Sequence, residues 1–521
     1  MIDNTADNVP GYGISYPEEP SIYVNPKNSN QIVAGANIRK YYYSSNAGVN
    51  WTSGILLDNT SGVWGDPCMF FDTLGNAYFI HLANPSSGGH WIDRIICAKS
   101  TNYGVSYTNP APYMGLNYPT NQAQQDKAWT GIDWTHGPRG NWIYCTWTEF
   151  DAYNTSNPAD SSRILFSRST NAGLNWLTPP TRINGLSGDC IDDDNTMEGA
   201  VPVVGPNGEL YVGWAGPKIW NSQYGIYFQK STDGGNTWLA APMYLCDQPG
   251  GWAYNISGID RCNGLPITCC DVSNGPYRGN IYINWTDESS ATDHDVRMIK
   301  STNGGLNWSS VKRVNNDPAG KEQFFTWMCV DQTTGYIYFL FYDRRNYTNN
   351  STDVYMARST DGGETFTNYL VSATPFTPSA SIFFGDYTNI SAVNGHVRPI
   401  WTRGDQMNLS VWTALIEFPV AVQNEKSFTP KSYSLAQNYP NPFNPSTKIK
   451  FNVPPGHEND NVTIRIYDIL GKEVSTLVNE KAMSAGTYEI TWHAADFSSG
   501  IYFYRIKAGN FSNTRKMILA K

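Results

Sequence analysis

One eight-residue pattern recurs six times between Ser44 and Phe366, and it constrains the fold more than any other feature of the chain. The copies read SSNAGVNW from Ser44, STNYGVSY from Ser100, STNAGLNW from Ser169, STDGGNTW from Ser231, STNGGLNW from Ser301 and STDGGETF from Ser359, with starts 56 to 70 residues apart. Each copy reads as a hairpin turn. Its third residue (Asn46, Asn102, Asn171, Asp233, Asn303 or Asp361) carries a short side-chain oxygen suited to accept hydrogen bonds from the turn's own backbone, and the Gly two positions on supplies a positive φ. The closing aromatic (Trp51, Tyr107, Trp176, Trp238, Trp308 or Phe366) then starts the next strand and packs between sheets. A repeat of this length fits a four-stranded unit with its loops better than a short solenoid turn.

A second repeat precedes the first. An apolar strand, a turn of D-x-x-G type and a strand ending in Trp or Tyr begin at Ser21, Cys68, Trp129, Val201, Leu265, Trp327 and Ile390, which makes seven units. Their apolar and polar residues alternate as in strands, and helical periodicity is scarce. The seventh unit runs into LSVWTALIEF from Leu409 without the eight-residue turn, so its outer strand is either missing or supplied by the N-terminal segment. The expected fold is all-β: a seven-bladed β-propeller over residues 1–421, with a six-bladed ring as the alternative, followed by a small Ig-like β-sandwich. Composition agrees. Aromatics make up 14% of the chain and charged residues only 16%, which excludes disorder, coiled coils and Lys/Glu-rich bundles. With 36 basic and 45 acidic residues the net charge is −9, so no whole-chain basic field exists to hold nucleic acid or anionic lipid.

The eight-residue pattern resembles the Asp-box, or bacterial neuraminidase repeat, S-x-D-x-G-x-x-W. The resemblance implies a sialidase-like propeller in which the box lies between the third and fourth strands of each blade, away from the ligand face. Asn stands for Asp in four of the six copies, which keeps the turn chemistry and removes any case for a catalytic carboxylate in the box.

After Pro419 the composition shifts, and residues 422–436 read as a polar linker. Residues 437–521 then carry NYPNPFNPSTKIKF from Asn438, VTIRIYDILGKEV from Val462, AGTYEITW from Ala485 and GIYFYRI from Gly500, short alternating strands with Gly turns. Read from the residues alone, this is a small antiparallel sandwich, equally compatible with a glycan-binding module. Its motifs resemble the C-terminal sorting domain of the type IX (Por) secretion system. That resemblance implies handling by the type IX machinery and a final place outside the cell, secreted or on the outer cell surface. No apolar run approaches the roughly 18 residues of a membrane helix, so no transmembrane segment is expected. The start, Met1-Ile2-Asp3-Asn4, lacks the basic and apolar regions of a signal peptide, so a leader would have been removed or would lie upstream of the numbering.

In a propeller the loops before each innermost strand and after its partner share one face, which selects the candidate ligand residues. Carboxylates precede six of the seven units: Glu19, Asp66, Asp126, Glu198, Glu322 and Asp386. They are expected to ring the channel mouth, either binding a ligand or latching neighbouring blades through backbone, Lys and Arg partners. Arg39, Arg344, Arg345 and Arg403 fall at the opposite ends of the paired strands. Sialidases grip a sugar carboxylate with three arginines. This chain lacks the F-R-I-P-like segment of that family, and Arg39, Arg344 and Arg403 are expected to pair with Glu19, Asp66 and Asp386. Asp189, Asp192, Asp193 and Asp194 crowd one loop whose hard oxygens suit Ca²⁺, although the spacing is not that of an EF-hand and a solvated loop is the alternative. Trp64, Trp91, Trp220 and Trp252 lie in the same class of loops, where they can stack on sugars or simply pack.

Nine cysteines without C-x-x-C spacing exclude a zinc site; Cys190, Cys246 and Cys262 lie in loops where pairing is open, and Cys145 and Cys329 read as core thiols. The histidines never occur at H-E-x-x-H spacing, and no G-x-S-x-G elbow or phosphate-binding loop is present. The best tyrosine beside a carboxylate is Tyr387, next to Asp386, but adjacent strand residues point to opposite faces unless the strand is bulged. Two function classes follow: a non-catalytic binding, adhesion or scaffold protein acting on extracellular glycan or surface protein, and, as the alternative, a glycoside hydrolase of the sialidase type. Hydrolysis of sialosides is not expected.

Overall fold

A computed structural model of the protein describes residues 1–10, 12–114, 123–135, 137–290, 292–405, 408–418, 432–456, 460–483 and 486–520. The described residues are all-β, in two compact units, Met1–Pro419 and Val420–Lys521. Most of the predicted linker, residues 422–431, lies outside the described residues.

The first unit holds seven antiparallel four-stranded sheets, taken in chain order. Their first strands are Ser21–Val24, Cys68–Phe71, Gln124–Ile132, Glu198–Val204, Ile267–Cys270, Gln323–Asp331 and Asn389–Val393. Each lies beside the first strand of the next sheet, and Asn389–Val393 lies beside Ser21–Val24. The strands are short and buried on both faces, so they read as near-continuous apolar runs: Cys68–Phe71 and Ala77–Leu82 are buried throughout.

All six eight-residue repeats form the turn between third and fourth strands, with one bonding scheme. In the first, the Ser44 Oγ accepts from Gly48 N at 2.9 Å and the Asn46 Oδ1 accepts from Asn50 N at 2.9 Å. In the fourth, the Asp233 Oδ1 accepts from Thr237 N at 2.9 Å and the second oxygen accepts from the Thr237 hydroxyl at 2.7 Å. Asn therefore keeps the backbone bond, and a side-chain bond is added where the seventh residue carries a hydroxyl, at Ser106, Thr237 and Thr365. The Gly at the fifth position is left-handed, as at Gly235 (φ 84°).

The carbonyl at the fourth position of these turns links sheets. It accepts from Arg168 at Gly234 (2.7 Å), from Lys230 at Gly304 (2.8 Å), from Lys300 at Gly362 (2.6 Å) and from Arg398 at Ala47 (2.8 Å). In each case the cation belongs to the preceding sheet, and Arg398 joins the seventh sheet to the first. The N-terminus makes a second join. Ile2 N donates to Val411 O at 2.7 Å and Val411 N to Asp3 O at 2.8 Å, so the first residues line the outer edge of the seventh sheet. The Asp3 carboxylate then reaches the first sheet, accepting from Lys40 Nζ at 2.7 Å and Tyr42 Oη at 2.9 Å. Lys40 is 4% exposed, so Asp3→Ala leaves a buried ammonium with only the neutral oxygens of Thr5 as partners. We expect that variant to lose about 3 kcal/mol in a urea titration followed by tryptophan fluorescence, and a loss below about 1 kcal/mol would show that the N-terminal contact is dispensable.

The second unit has a three-stranded sheet (Ser434–Leu435, Ser446–Val453, Gly486–His493) and a four-stranded sheet (Glu473–Ala482, Asn461–Tyr467, Gly500–Ala508, Phe511–Leu519). Thr447, Ile449, Phe451 and Val453 alternate inward, as period-2 patterning demands, and meet Val462, Ile464, Ile466, Tyr504 and Ile506 in one core.

All nine cysteines are free. Cys190, Cys246 and Cys262 form no pair, and the last two lie in the strands Met243–Asp247 and Cys262–Asn263; Cys145 is fully buried as a core thiol, whereas Cys329 is only half-buried.

Candidate functional site

Antiparallel order places the entries to the first strands at one end of the first unit, together with the hairpins joining second to third strands. The eight-residue turns fall at the other end. At the first end the backbone takes an unusual form at the same point of successive sheets. Glu19 (φ 51°), Asp66 (φ 52°), Lys127 (φ 47°) and Phe325 (φ 50°) are left-handed, as are Gly199 (φ 75°) and Gly385 (φ 93°). Pairing is bulged between Asp126 and Trp129, Glu198 and Val201, and Phe324 and Trp327. These irregularities break the two-residue alternation and bring charged side chains into the centre of the face. At Gly385 no side chain fits, since a Cβ would lie 2.9 Å from Glu19 N.

Asp386 is the hub. Its carboxylate accepts from Lys127 Nζ at 2.9 Å and from Arg261 Nε at 2.9 Å, and its backbone N–H donates to Glu19 Oε1 at 3.0 Å. Burial alone would raise its pKa, but Arg261 and Lys127 hold it down to about 2. Lys127 is 4% exposed; burial works against its charge, yet Asp386 and Asp126 raise its pKa well above the ordinary value. Arg261 sits on the loop of a two-stranded ribbon, Ala253–Tyr254 with Cys262–Asn263, and it also contacts Asp192 at 3.3 Å. Asp192 in turn accepts from Tyr153 Oη at 2.6 Å.

A line of carboxyls flanks the hub. Asp66 stands between Glu19 and Asp126, hydrogen-bonded to both, and Asn37 bridges the first two, donating to Glu19 and accepting from Asp66 N. Burial, reinforced by neighbouring charges, pushes Glu19 up to about 8 and Asp66 to about 7. Burial also takes Asp126 to about 7 against the pull of Lys127, and Glu18 to about 8. Glu198 is fully buried, its two oxygens have no partner among the described residues, and burial raises its pKa well above the carboxylate range.

The predicted arginines do not meet. Arg39 grips Asp7 through Nε at 2.8 Å, Arg344 pairs with Glu322 at 2.6 Å, Arg345 with Asp343 at 2.7 Å and Arg403 with Asp405 at 2.8 Å. The expected partners Glu19, Asp66 and Asp386 are therefore corrected to Asp7, Glu322 and Asp405: Arg39 turns to the N-terminal ribbon, and Arg344 and Arg403 to carboxylates of their own sheets. The cations that enter the carboxylate cluster, Lys127 and Arg261, were passed over in sequence. Lys127 was visible beside Asp126, but Arg261 lies in a long loop without a repeat signature.

The acidic loop also disperses. Asp189 caps Ile191 N, Asp193 caps Asn195 N, Asp194 accepts from Ala253 N at 2.7 Å, and Asp192 faces Arg261. Among the described residues no three His, Cys, Asp or Glu side chains come together as a metal site, so the geometry lends the calcium reading no support.

Aromatic residues form a ladder across the same face. Tyr12 meets Trp64 edge-on at 5.4 Å, Trp64 meets Trp91 at 6.3 Å, and Trp91 meets Tyr153 at 5.4 Å, next to Asp192 and Arg261. Tyr12 and Trp91 are exposed at 51% and 37%. Trp220 is also exposed, but Trp252 is buried with its Nε1 donating to Thr196 O, which removes it as a stacking platform. Beneath the charged hub lie Trp129, Trp327 and Tyr387, with Tyr387 at 4.9 Å from Trp129. Between them and Asp386 remains a cavity of about 20 Å³, enough for one water.

Residues 437–520 match the model of a secretion system C-terminal sorting domain, which marks the chain for type IX export to the cell surface or for secretion. Among the described residues no helix is long and apolar enough to cross a membrane. No curated protein matches the sequence significantly. Solved structures similar to the chain include a Hadza microbial sialidase (12% identity, 74% of this chain and 73% of that one, TM-score 0.42). A family PL25 ulvan lyase (13%, 80% and 96%, 0.47) and the Trypanosoma rangeli sialidase (10%, 90% and 86%, 0.40) are also similar.

Proposed function

We propose that the first unit is a seven-bladed, non-catalytic β-propeller that binds an extracellular glycan on the face bearing the aromatic ladder, with the second unit an Ig-like sandwich serving export. One observation carries this reading. The exposed rings of Tyr12 and Trp91 flank a charge cluster whose cations and anions already satisfy one another. Flat aromatic faces beside polar groups suit sugar rings, and in this reading the buried carboxylates Glu19, Asp66, Asp126 and Asp386 latch blades instead of touching ligand.

The sialidase alternative needs a nucleophile about 5 Å from an acid, with room for a sugar between them. Tyr387 is 7% exposed, burial raises its pKa well above the phenol range, and the space beside Asp386 holds one water. We expect glycan-array binding by the purified chain and no release of fluorophore from a sialoside. Trp91→Ala should weaken the selected glycan at least tenfold, about 1.4 kcal/mol, with the melting temperature unchanged. Turnover of the sialoside would favour the hydrolase, and binding of a surface protein without any glycan would favour the adhesion form of the same reading.

A further inference from the structure

The first strands enclose a channel of about 480 Å³ that the face described above does not use. Its walls include Ile22, Met69, Val203, Ile267, Met328 and Ile390, from six different sheets. One end is shut by Trp129 and Trp327, whose rings lie 4.5 Å apart and separate the channel from the charged hub. At the other end, the end of the eight-residue turns, the exposed residues Gln332 and Thr333 form the rim.

Several polar groups of the wall are engaged with neighbouring sheets. The Ser21 Oγ accepts from Met69 N, the Ser391 Oγ from Val24 N and the Thr268 Oγ1 from Gly213 N, each at 3.0 Å and each on a neighbouring sheet. Two thiols do likewise: Cys269 Sγ donates to Met328 O at 3.3 Å, and Cys68 Sγ meets Thr130 Oγ1 at 3.1 Å. The hydrogen bonds that hold the sheets together thus occupy part of the polar lining, and the surface that remains is predominantly apolar. Water needs two to four polar partners, whereas an apolar cavity stays dry and takes apolar molecules. The volume is that of a small-molecule pocket.

We infer that this dead-end channel is a binding site for one neutral apolar molecule with an aromatic or alicyclic ring, entering from the end of the eight-residue turns. Charge on the ligand is disfavoured because the lining holds no charged side chain to pair with it.

The test uses the full 521-residue chain and the neutral dye N-phenyl-1-naphthylamine. Saturable one-to-one binding with enhanced emission is expected, weakened at least tenfold by Cys269→Phe and by Val203→Trp, and unchanged by Leu306→Ser, which alters an apolar residue 71% exposed. A measurement independent of those variants is the rate at which methyl methanethiosulfonate modifies Cys269 and Cys329, read by peptide mass. Bound dye should slow both at least fivefold. Absence of saturable binding, unaltered binding by filled variants that melt like the parent, or thiols that the dye leaves unprotected would each overturn the inference.

Discussion

Replacing Asp386 with Ala should lower the unfolding free energy of the first unit by about 3–5 kcal/mol, the largest loss expected of any single substitution on the charged face. The reason is what remains behind. Lys127 is 4% exposed and keeps its ammonium with its closest partner gone, and Arg261 loses the carboxylate that it grips through two nitrogens. Three sheets are affected together, since the Lys127 strand, the Arg261 ribbon and the Glu19 entry all meet at Asp386. Equilibrium urea unfolding measures the loss. The double variant Asp386→Ala with Lys127→Met should recover part of it, because the stranded charge is removed with its partner. A loss under about 1 kcal/mol, or strict additivity of the two changes, would mean that the cluster is not a latch.

The second large effect is on pH dependence. Glu18 and Glu19 are raised to about 8, and Asp66 and Asp126 to about 7, burial being the first cause in each. In the unfolded chain such groups ionise near pH 4. Between pH 6.5 and 8 the folded state therefore holds protons that the unfolded state has released, so stability falls as pH rises. Each extra proton held corresponds to about 1.4 kcal/mol per pH unit. Asp386, lowered to about 2, is ionised in both states throughout this window and does not oppose the trend. His81, lowered to about 4 by burial, acts in the opposite sense but only below about pH 6.5, where an unfolded histidine charges. The melting temperature should drop by several degrees between pH 6.5 and 8, and Asp66→Asn should flatten the profile. A melting temperature that holds level or climbs across this range would show that these carboxyls are ionised in the fold.

How much of this could be read from sequence follows the range of each interaction. The eight-residue turns were legible because Ser44, Asn46 and Gly48 act within one loop, and the strand pairs from Ser21 to Ile390 because each is an apolar run closed by a local turn. The Gly500-Ile501-Tyr502 strand of the sorting domain is of the same kind. The carboxylates were located because they precede recognisable strands. Their partners were not, since Lys127 and Asp386 are 259 residues apart and Arg261 and Asp386 are 125 apart, and nothing local ties such pairs. The arginines misled for a different reason: Arg39 chose Asp7 of the N-terminal strand Asp7–Val9 and Arg403 chose Asp405 two residues on in its own strand, carboxylates that precede no repeated unit. The dense Asp189–Asp194 run looked like a cation loop in one dimension, but the backbone turns its carboxylates towards separate partners.

The pairing of Asp3 with Val411 has a kinetic side. The two residues stand about 400 positions apart, so their contact forms only after nearly the whole first unit is available, and a join of such high contact order is slow. Until then the strand of Val411 presents an open edge, a template for association with other chains. The sorting domain, at 437–520, follows Val411 in the chain. A product truncated before the closing strand is thus also a product without its export address, so an open edge left by such truncation is not sent outside.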